Sequence, residues 1–510
     1  MVNANAGSVL QGEVMTQTKK KKTKKRKKNK EHPFWTLKKI ILTVVLLFLC
    51  YIIVGMCLPF WLHPEVNPFY ESNFAAEDFY GDGNSVDRAA ILETSEQALD
   101  ERIRLISRAK NSLILTTFDM RQGSSMDDLA AVILEAADRG VSVRILVDGI
   151  SGRLRMEGNQ PFDLLAAHPN IEIRLYNRPN LLMPWTYHGR MHDKYVIADD
   201  IGYILGGRNT FDYFLGDYPT DGKSLDREVL IYNTAHGKEN STESSLNQVK
   251  DYFEKIWASE DCAEFTSRDP EQKKEDSQRE GRLLAEHLSA MKEKWPHLFT
   301  EDSHFEDSTL PAHKVTLISG DTGIGGKSPL VWYQIQKLME NAKDRVIFQT
   351  PYAVCSSEML DGLRRLAGGN ADCKLLLNAR ENGDNVVASS DYTWKKSSIV
   401  KTGIPVYEYA GGTSSHGKSV LIDGRMTLVG SYNLDLRSTY VDTELMLAID
   451  SEELNQQLEG YLLPMVADSW KVTEDGYEKP EHLSVEEAGV GKEIFWHVLG
   501  FVLKPFRILL

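Results

Sequence analysis

Cysteine is scarce, with five in 510 residues. Cys50 and Cys57 fall inside an apolar run, and Cys262, Cys355 and Cys373 have no metal-type spacing. That argues against a disulfide framework and a cysteine-ligated metal, and leaves free thiols. Charge is missing altogether from residues 40–62, IILTVVLLFLCYIIVGMCLPFWL, a run of 23. At about 1.5 Å per residue such a run crosses a hydrocarbon core of about 30 Å, and it is longer than a signal-peptide apolar region. No small-residue cleavage site follows, so the sequence predicts a retained transmembrane helix. Acidic residues are absent from KKKKTKKRKKNK, residues 19–30. Residues 1–39 carry +10, which leaves the remainder at -24 against -14 overall. A basic flank stays in the cytoplasm against anionic headgroups, which puts the acidic body on the outer side of the membrane. That body repels polyanions and so counts against a nucleic-acid partner.

What the chain does contain is alternation. SEQALDERIRLISRAK has Leu99, Ile103, Ile106 and Ala109 on one helical face; a strand SLILTTF, a helix MDDLAAVILEAADRG and a strand VSVRILVDG follow. The order recurs in SPLVWYQIQKLMENAK, RVIFQTPY, SSEMLDGLRRLAGG and CKLLLNAR. This predicts an α/β fold with the same unit twice. Between the units, SRDPEQKKEDSQREGRLLAEHLSAMKEKW reads as a connecting helix with a mobile start. The chain closes on KEIFWHVLGFVLKPFRILL, which suits either a membrane interface or docking onto the body.

The duplication extends to chemistry. HDKYVIAD (192–199) and HGKSVLID (416–423) share the pattern H-x-K-x-x-x-x-D. Each is followed by a small pair and an asparagine, Gly206-Gly207-Arg208-Asn209 and Gly430-Ser431-Tyr432-Asn433. On a strand, residues i and i+2 share a face, so His192 projects with Lys194 and His416 with Lys418. The turn-like DDIG and DGR predict hairpins setting 192 opposite 209 and 416 opposite 433, with Gly207 and Ser431 opposite the lysines, leaving room for a ligand. DREV and DTEL place Glu228 and Glu444 where a following strand brings a carboxylate to a histidine. Lysine and asparagine suit phosphate oxygens. One histidine can attack phosphorus while a second protonates the leaving alkoxide, so two copies facing each other complete a site that one copy lacks.

These motifs resemble the phospholipase D superfamily, whose signature is a pair of H-x-K-x-x-x-x-D motifs with a trailing G-G/S-x-N. The likeness runs from about residue 86 to 470, and RMHDKYVIADDIGYILGGRN, GSYNLDLRSTYVDTE and TPY resemble bacterial cardiolipin synthases. The resemblance implies two phospholipase D-like repeats, each a mixed sheet flanked by helices, with the active site at their pseudo-twofold interface. It makes His192 and His416 the nucleophile and acid/base pair, without deciding which attacks. Lys194, Lys418, Asn209 and Asn433 become phosphate binders and Glu228 and Glu444 histidine supports. Asp199 and Asp423 complete the catalytic motifs by holding their turns. Two departures stand out: Asp442 replaces the usual Asn before TE, and LGDYPTDGKSL is inserted ahead of Glu228. No metal or cofactor is implied.

The expected organisation is a basic cytoplasmic tail (1–39), a transmembrane helix (40–62), a linker (63–85), a first domain (86–262), a helical linker (263–312), a second domain (313–470) and a C-terminal tail (471–510). The expected activity is a phosphatidyltransferase making cardiolipin and glycerol from two phosphatidylglycerol molecules through a phosphatidyl-histidine, in a monomer. Hydrolysis to phosphatidic acid is the alternative; a nuclease and an inactive membrane scaffold rank below it. Two further patterns are set aside. HGRMH gives His188 and His192 a zincin-like spacing, but Gly189 replaces the glutamate. DTGIGGKS (321–328) lacks the first glycine of a phosphate-binding loop.

Overall fold

The computed structural model describes residues 33–266, 273–300, 304–504 and 507. The basic run at 19–30 and the start of the connecting segment, 267–272, lie outside them. The chain divides into two units, one ending at Tyr51 and one running from Ile52. In the first, the helix Pro33–Trp61 begins, and Leu37–Trp61 is the stretch among the described residues long and apolar enough to cross a membrane.

The second unit is built on two mixed nine-stranded sheets. In the first, Ser112–Thr117, Ser142–Asp148 and Ile171–Tyr176 run parallel, with helices in the connections. Tyr195–Ala198 joins them antiparallel, then Gly202–Gly206, Glu228–Asn233 and Asp87–Leu92 follow outward. The second repeats the plan with Arg345–Gln349, Asp372–Asn378 and Val406–Tyr409 parallel, and Ser419–Ile422, Met426–Gly430, Leu445–Asp450 and Lys314–Ser319 antiparallel. The parallel strands are branched-aliphatic runs buried on both faces.

Period two decides what each face meets. Leu113 and Leu115 enter a core shared with the helices Ser95–Arg108 and Ser124–Asp138, whereas Ile114 between them enters the layer between the sheets. Val420 and Ile422 likewise point to the second sheet's helices while Leu421 points to that middle layer. Tyr195, Ile197 and Leu205 of one sheet and Val429, Leu445 and Leu447 of the other share it, with the helices Leu246–Trp257 and Glu452–Ala467 filling its margins.

Residues 263–312 are not a separate linker. Cys262–Glu264 and Leu310–Pro311 are the two edge strands of the first sheet, and the helix Lys273–Lys294 buries Leu284 and Met291 in the first core. Past 470 the chain likewise adds edge to the second sheet, through Ser469–Thr473 and Gly476–Glu478, before the helix Val490–Leu503.

The hairpins exist, one residue out of the expected register. Ala198 pairs with Gly202 and Ile422 with Met426, so each loop has three residues, and Lys194 and Lys418 lie opposite Gly206 and Gly430. The first loop residue is Asp199 or Asp423, at φ 48° and 52°. Aspartate tolerates that left-handed conformation, and here it also pins the neighbouring strand. Asp199 accepts from the backbone N–H of Lys110, Asn111 and Ser112, and Asp423 from that of Lys343, Asp344 and Arg345.

Candidate active site

His192 and His416 stand just ahead of strands Tyr195–Ala198 and Ser419–Ile422, at the ends remote from these turns. Two short parallel bridges bring them together: Met191 pairs with Thr443, and Ser414–Ser415 with Ser224–Leu225. Each joins one half of the body to the other. The His416 amide donates to Leu225 O at 2.6 Å and that of Thr443 to Arg190 O at 2.9 Å. Arg227 reinforces the contact, reaching Glu93 in its own half and Ser419 and Gln349 in the other.

Both histidines line one cavity of about 330 Å³ with Asn209, Asn433, Phe118, Tyr352, Asn385, Arg437 and Asp442. Phe118 packs edge-on against His192 and Phe214 tilts against His416, with ring centroids 5.3 and 5.5 Å apart. Lys194 and Lys418 are fully buried, each donating to the carbonyl of its own motif histidine at 2.5 Å.

The carboxylates correct the expectation in two ways. First, they are exchanged between halves: His192 Nδ1 lies 2.9 Å from Glu444, and His416 Nδ1 lies 2.8 Å from Asp226. Second, Glu228 supports no histidine. It forms a two-toothed ion pair with Arg102, both bonds 2.6 Å, inside the first half. Pairing sets Gly206 opposite Glu228 and Gly430 opposite Met446, so the partner of Glu444 by strand position is Asp226, two residues before Glu228. The space beside Gly207, expected for a ligand, holds this carboxylate: a Cβ there would lie 2.2 Å from Asp226 Oδ1. In the other half Ser431 donates to Glu444 at 2.5 Å, and Ser438 adds a bond of 2.6 Å. Asp199 and Asp423, the last residues of the catalytic motifs, hold their turns and touch neither histidine nor the cavity.

Burial and charge make the two histidines unequal. Burial first, then the Lys194 ammonium, holds the His192 imidazolium well below its usual range. Burial and Lys418 also lower His416, but the bond to Asp226 acts against them. Burial alone would raise Asp226; Lys418, His416 and Arg208 hold it well below the usual carboxylate range. Burial pushes Glu444 up to about 8 despite Lys194, and pulls Lys194 down to about 8. His416 Nδ1 also sits 2.5 Å from Lys418 Nζ, and one nitrogen cannot both donate to a carboxylate and accept from an ammonium. The ionised Asp226 favours the donor arrangement, which leaves Nε2 for the cavity.

The set-aside motifs have other duties. His188 packs edge-on against Phe60, and burial lowers it to about 4. Lys327 is buried and donates to Val441 O, and Gly326 packs on Pro59. Among the described residues no group of histidine, cysteine and acidic side chains is placed to hold a metal ion.

Known proteins point the same way. The family model described as Cardiolipin synthase, PLD-like domain matches residues 103–257 and 335–465. Cardiolipin synthase C of Escherichia coli is 26% identical over 408 residues, covering 72% of this chain and 82% of the relative. Cardiolipin synthase A of Yersinia pseudotuberculosis is 23% identical over 372 residues, covering 72% and 67%. Among solved structures, the phosphatidylserine synthase of Haemophilus influenzae matches 85% of this chain and 93% of its own at TM-score 0.54 and 13% identity, a likeness of fold.

Proposed function

Since the chain belongs to the family of cardiolipin synthase, phospholipase D-like domains, we propose that it is a membrane-anchored phosphatidyltransferase joining two phosphatidylglycerol molecules into cardiolipin, with release of glycerol. The observation that carries this reading is the crossed pair of histidine–carboxylate bonds on one cavity lined by two asparagines, with Lys194 and Lys418 buried beside the histidines whose carbonyls they bond. In the first step His192 Nε2 bonds to phosphorus as the bond to the glycerol headgroup breaks, and His416 gives its Nε2 proton to the departing oxygen. In the second, His416 takes the proton from the terminal hydroxyl of another phosphatidylglycerol, whose oxygen bonds to phosphorus as the phosphorus–nitrogen bond breaks.

The assignment follows from the inequality of the two rings. His192, held neutral by burial and Lys194, has a free lone pair for attack; His416, backed by an ionised aspartate, is the better proton carrier. Lys194, Lys418, Asn209 and Asn433 hold the phosphate oxygens and offset charge developing on them. Glu444 fixes the tautomer of His192, as Asp226 does for His416. The basic segment ahead of the anchor supports a catalytic body on the outer side of the membrane.

The test is incubation of the purified full chain with phosphatidylglycerol and EDTA, with products identified by mass spectrometry. Cardiolipin and glycerol in equal amounts are expected, and none from His192→Ala or His416→Ala. Phosphatidic acid alone would make the protein a hydrolase, and undiminished turnover in either variant would overturn the paired-histidine mechanism.

A further inference from the structure

The last turns of the anchor helix, from Ile52 on, are clasped by the catalytic body. Pro184 packs on Gly55, where a Cβ would come within 2.4 Å of its ring; Gly326 packs on Pro59, Phe60 on His188 and His63 on Tyr440. Gly55 lies seven residues inside the end of the uncharged run, about 10 Å along the helix. A body that touches Gly55 therefore extends below the level at which that run emerges. The loop carrying Pro184 presents Leu181 and Leu182 to solvent, 70% and 72% exposed.

The body carries a second apolar surface. The helix Val490–Leu503 rests on the helix Val386–Val400, burying Trp496 and fitting Gly500 against Trp394. Its outer face, Ile494, Val498 and Phe501 among others, is bare, and the surface continues onto Val386 and Trp394. The first turn of Val386–Val400 also walls the candidate site, through Val387 and Ala388. The chain beyond this helix returns toward the anchor. Arg507 bonds Asp391 and Cys355 O; the next residue, Ser356, bonds Tyr440, whose ring lies on His63. The two apolar surfaces are thus linked, through a few contacts, to the point where the anchor helix ends.

Monomeric soluble proteins rarely leave a helix face as apolar as Val490, Ile494, Val498 and Phe501 bare, each of them more than half exposed. We infer that the catalytic body is itself seated in the bilayer that the anchor crosses, on the outer face of Val490–Leu503 and the Leu181–Leu182 loop, with the mouth of the site at headgroup level. A lipid surface is the occupant because the Leu181–Leu182 loop adjoins Pro184, which packs on Gly55 of the membrane-spanning helix, and because the body carries a second bare apolar face on Val490–Leu503. The seating rests on the reading of the substrate as a bilayer phospholipid, which then enters laterally with its chains still in the membrane.

The experiment uses the full chain in phosphatidylglycerol vesicles, with Cys50 and Cys262 replaced by serine. Nitroxide labels go on Val498→Cys, Leu182→Cys and, as a water-exposed control, Glu239→Cys. Dissolved oxygen should relax the labels at 498 and 182 while a water-soluble nickel chelate should not, with the reverse at 239. Nickel access at 498 and 182 equal to that at 239 would overturn the inference. In the second arm, Ile494→Asp with Val498→Asp should lose at least tenfold in turnover of vesicle phosphatidylglycerol and keep turnover of a monomeric short-chain phosphatidylglycerol. Loss on both substrates or on neither would count against the seating. If the unaltered protein turns over neither substrate, the proposed activity fails and the spin labels still decide the seating.

Discussion

Asp226→Asn separates the observed carboxylate assignment from the one suggested by aligning DREV with DTEL on their glutamates. Asp226 is fully buried, and its Oδ2 lies 2.8 Å from His416 Nδ1. An asparagine of the same shape has no charge to stabilise the imidazolium that forms when His416 holds the proton. Losing a charge-assisted hydrogen bond accounts for about 1.5–3 kcal/mol, a factor of roughly 10 to 100 in rate. The amide also turns a donor toward Nδ1, which moves the ring proton to Nε2 and spoils the tautomer; with that added, we expect kcat to fall by about 10² to 10⁴. Glu228→Gln is the control. It breaks the buried pair with Arg102 and leaves an uncompensated guanidinium, a stability loss of about 3–5 kcal/mol, while the folded fraction keeps near-normal kcat. Initial rates by mass spectrometry, set beside thermal midpoints, distinguish the two. A normal rate in Asp226→Asn, or a catalytic loss at unchanged midpoint in Glu228→Gln, would refute the crossed arrangement.

Three further outcomes follow from the same contacts. A substrate whose leaving group is p-nitrophenolate needs no proton, so His416→Ala should give a burst of about one nitrophenolate per enzyme, read by absorbance, and His192→Ala none. On the proposed mechanism Lys194 binds phosphate as a cation, and burial brings its ammonium down to about 8, so kcat/KM should decline as pH rises through that value and Lys194→Arg should move the decline upward. Burial raises Asp193 to about 7 from 3.8, so the folded state holds a proton that the unfolded state has released. Stability should therefore fall as pH rises between about 4 and 7, by at most about 4 kcal/mol, and Asp193→Asn should flatten that slope in urea titrations at several pH values.

The parts of the site carried by short-range pattern are legible in the sequence. Alternation along YVIA and SVLI aims histidine and lysine to one face, and an acidic turn residue announces each hairpin. The register is not legible, because a two-residue and a three-residue loop differ only in whether Asp199 and Asp423 adopt positive φ. The histidine partners are hidden for a different reason: they lie 252 and 190 residues away, across an interface no local pattern describes. DREV and DTEL invite alignment on their glutamates, whereas strand position aligns Asp226 with Glu444. Phe118, Phe214, Tyr352 and Arg437 sit outside the two motifs, so nothing in the H-x-K pattern points to them.

The exchange of carboxylates has a consequence for the making of the protein. A ribosome delivers His192 with its lysine 252 residues before Glu444 exists, and Asp226 waits 190 residues for His416. On the proposed reading, a membrane-tethered chain spends up to 252 of its 510 residues of synthesis with a nucleophile lacking its orienting base, and part of that time with a base lacking its histidine. On the proposed mechanism, the chemistry switches on only when the half carrying His416 and Glu444 closes against the half carrying His192 and Asp226. On that reading, truncated or misassembled copies are chemically silent because each histidine lacks its partner from the other half.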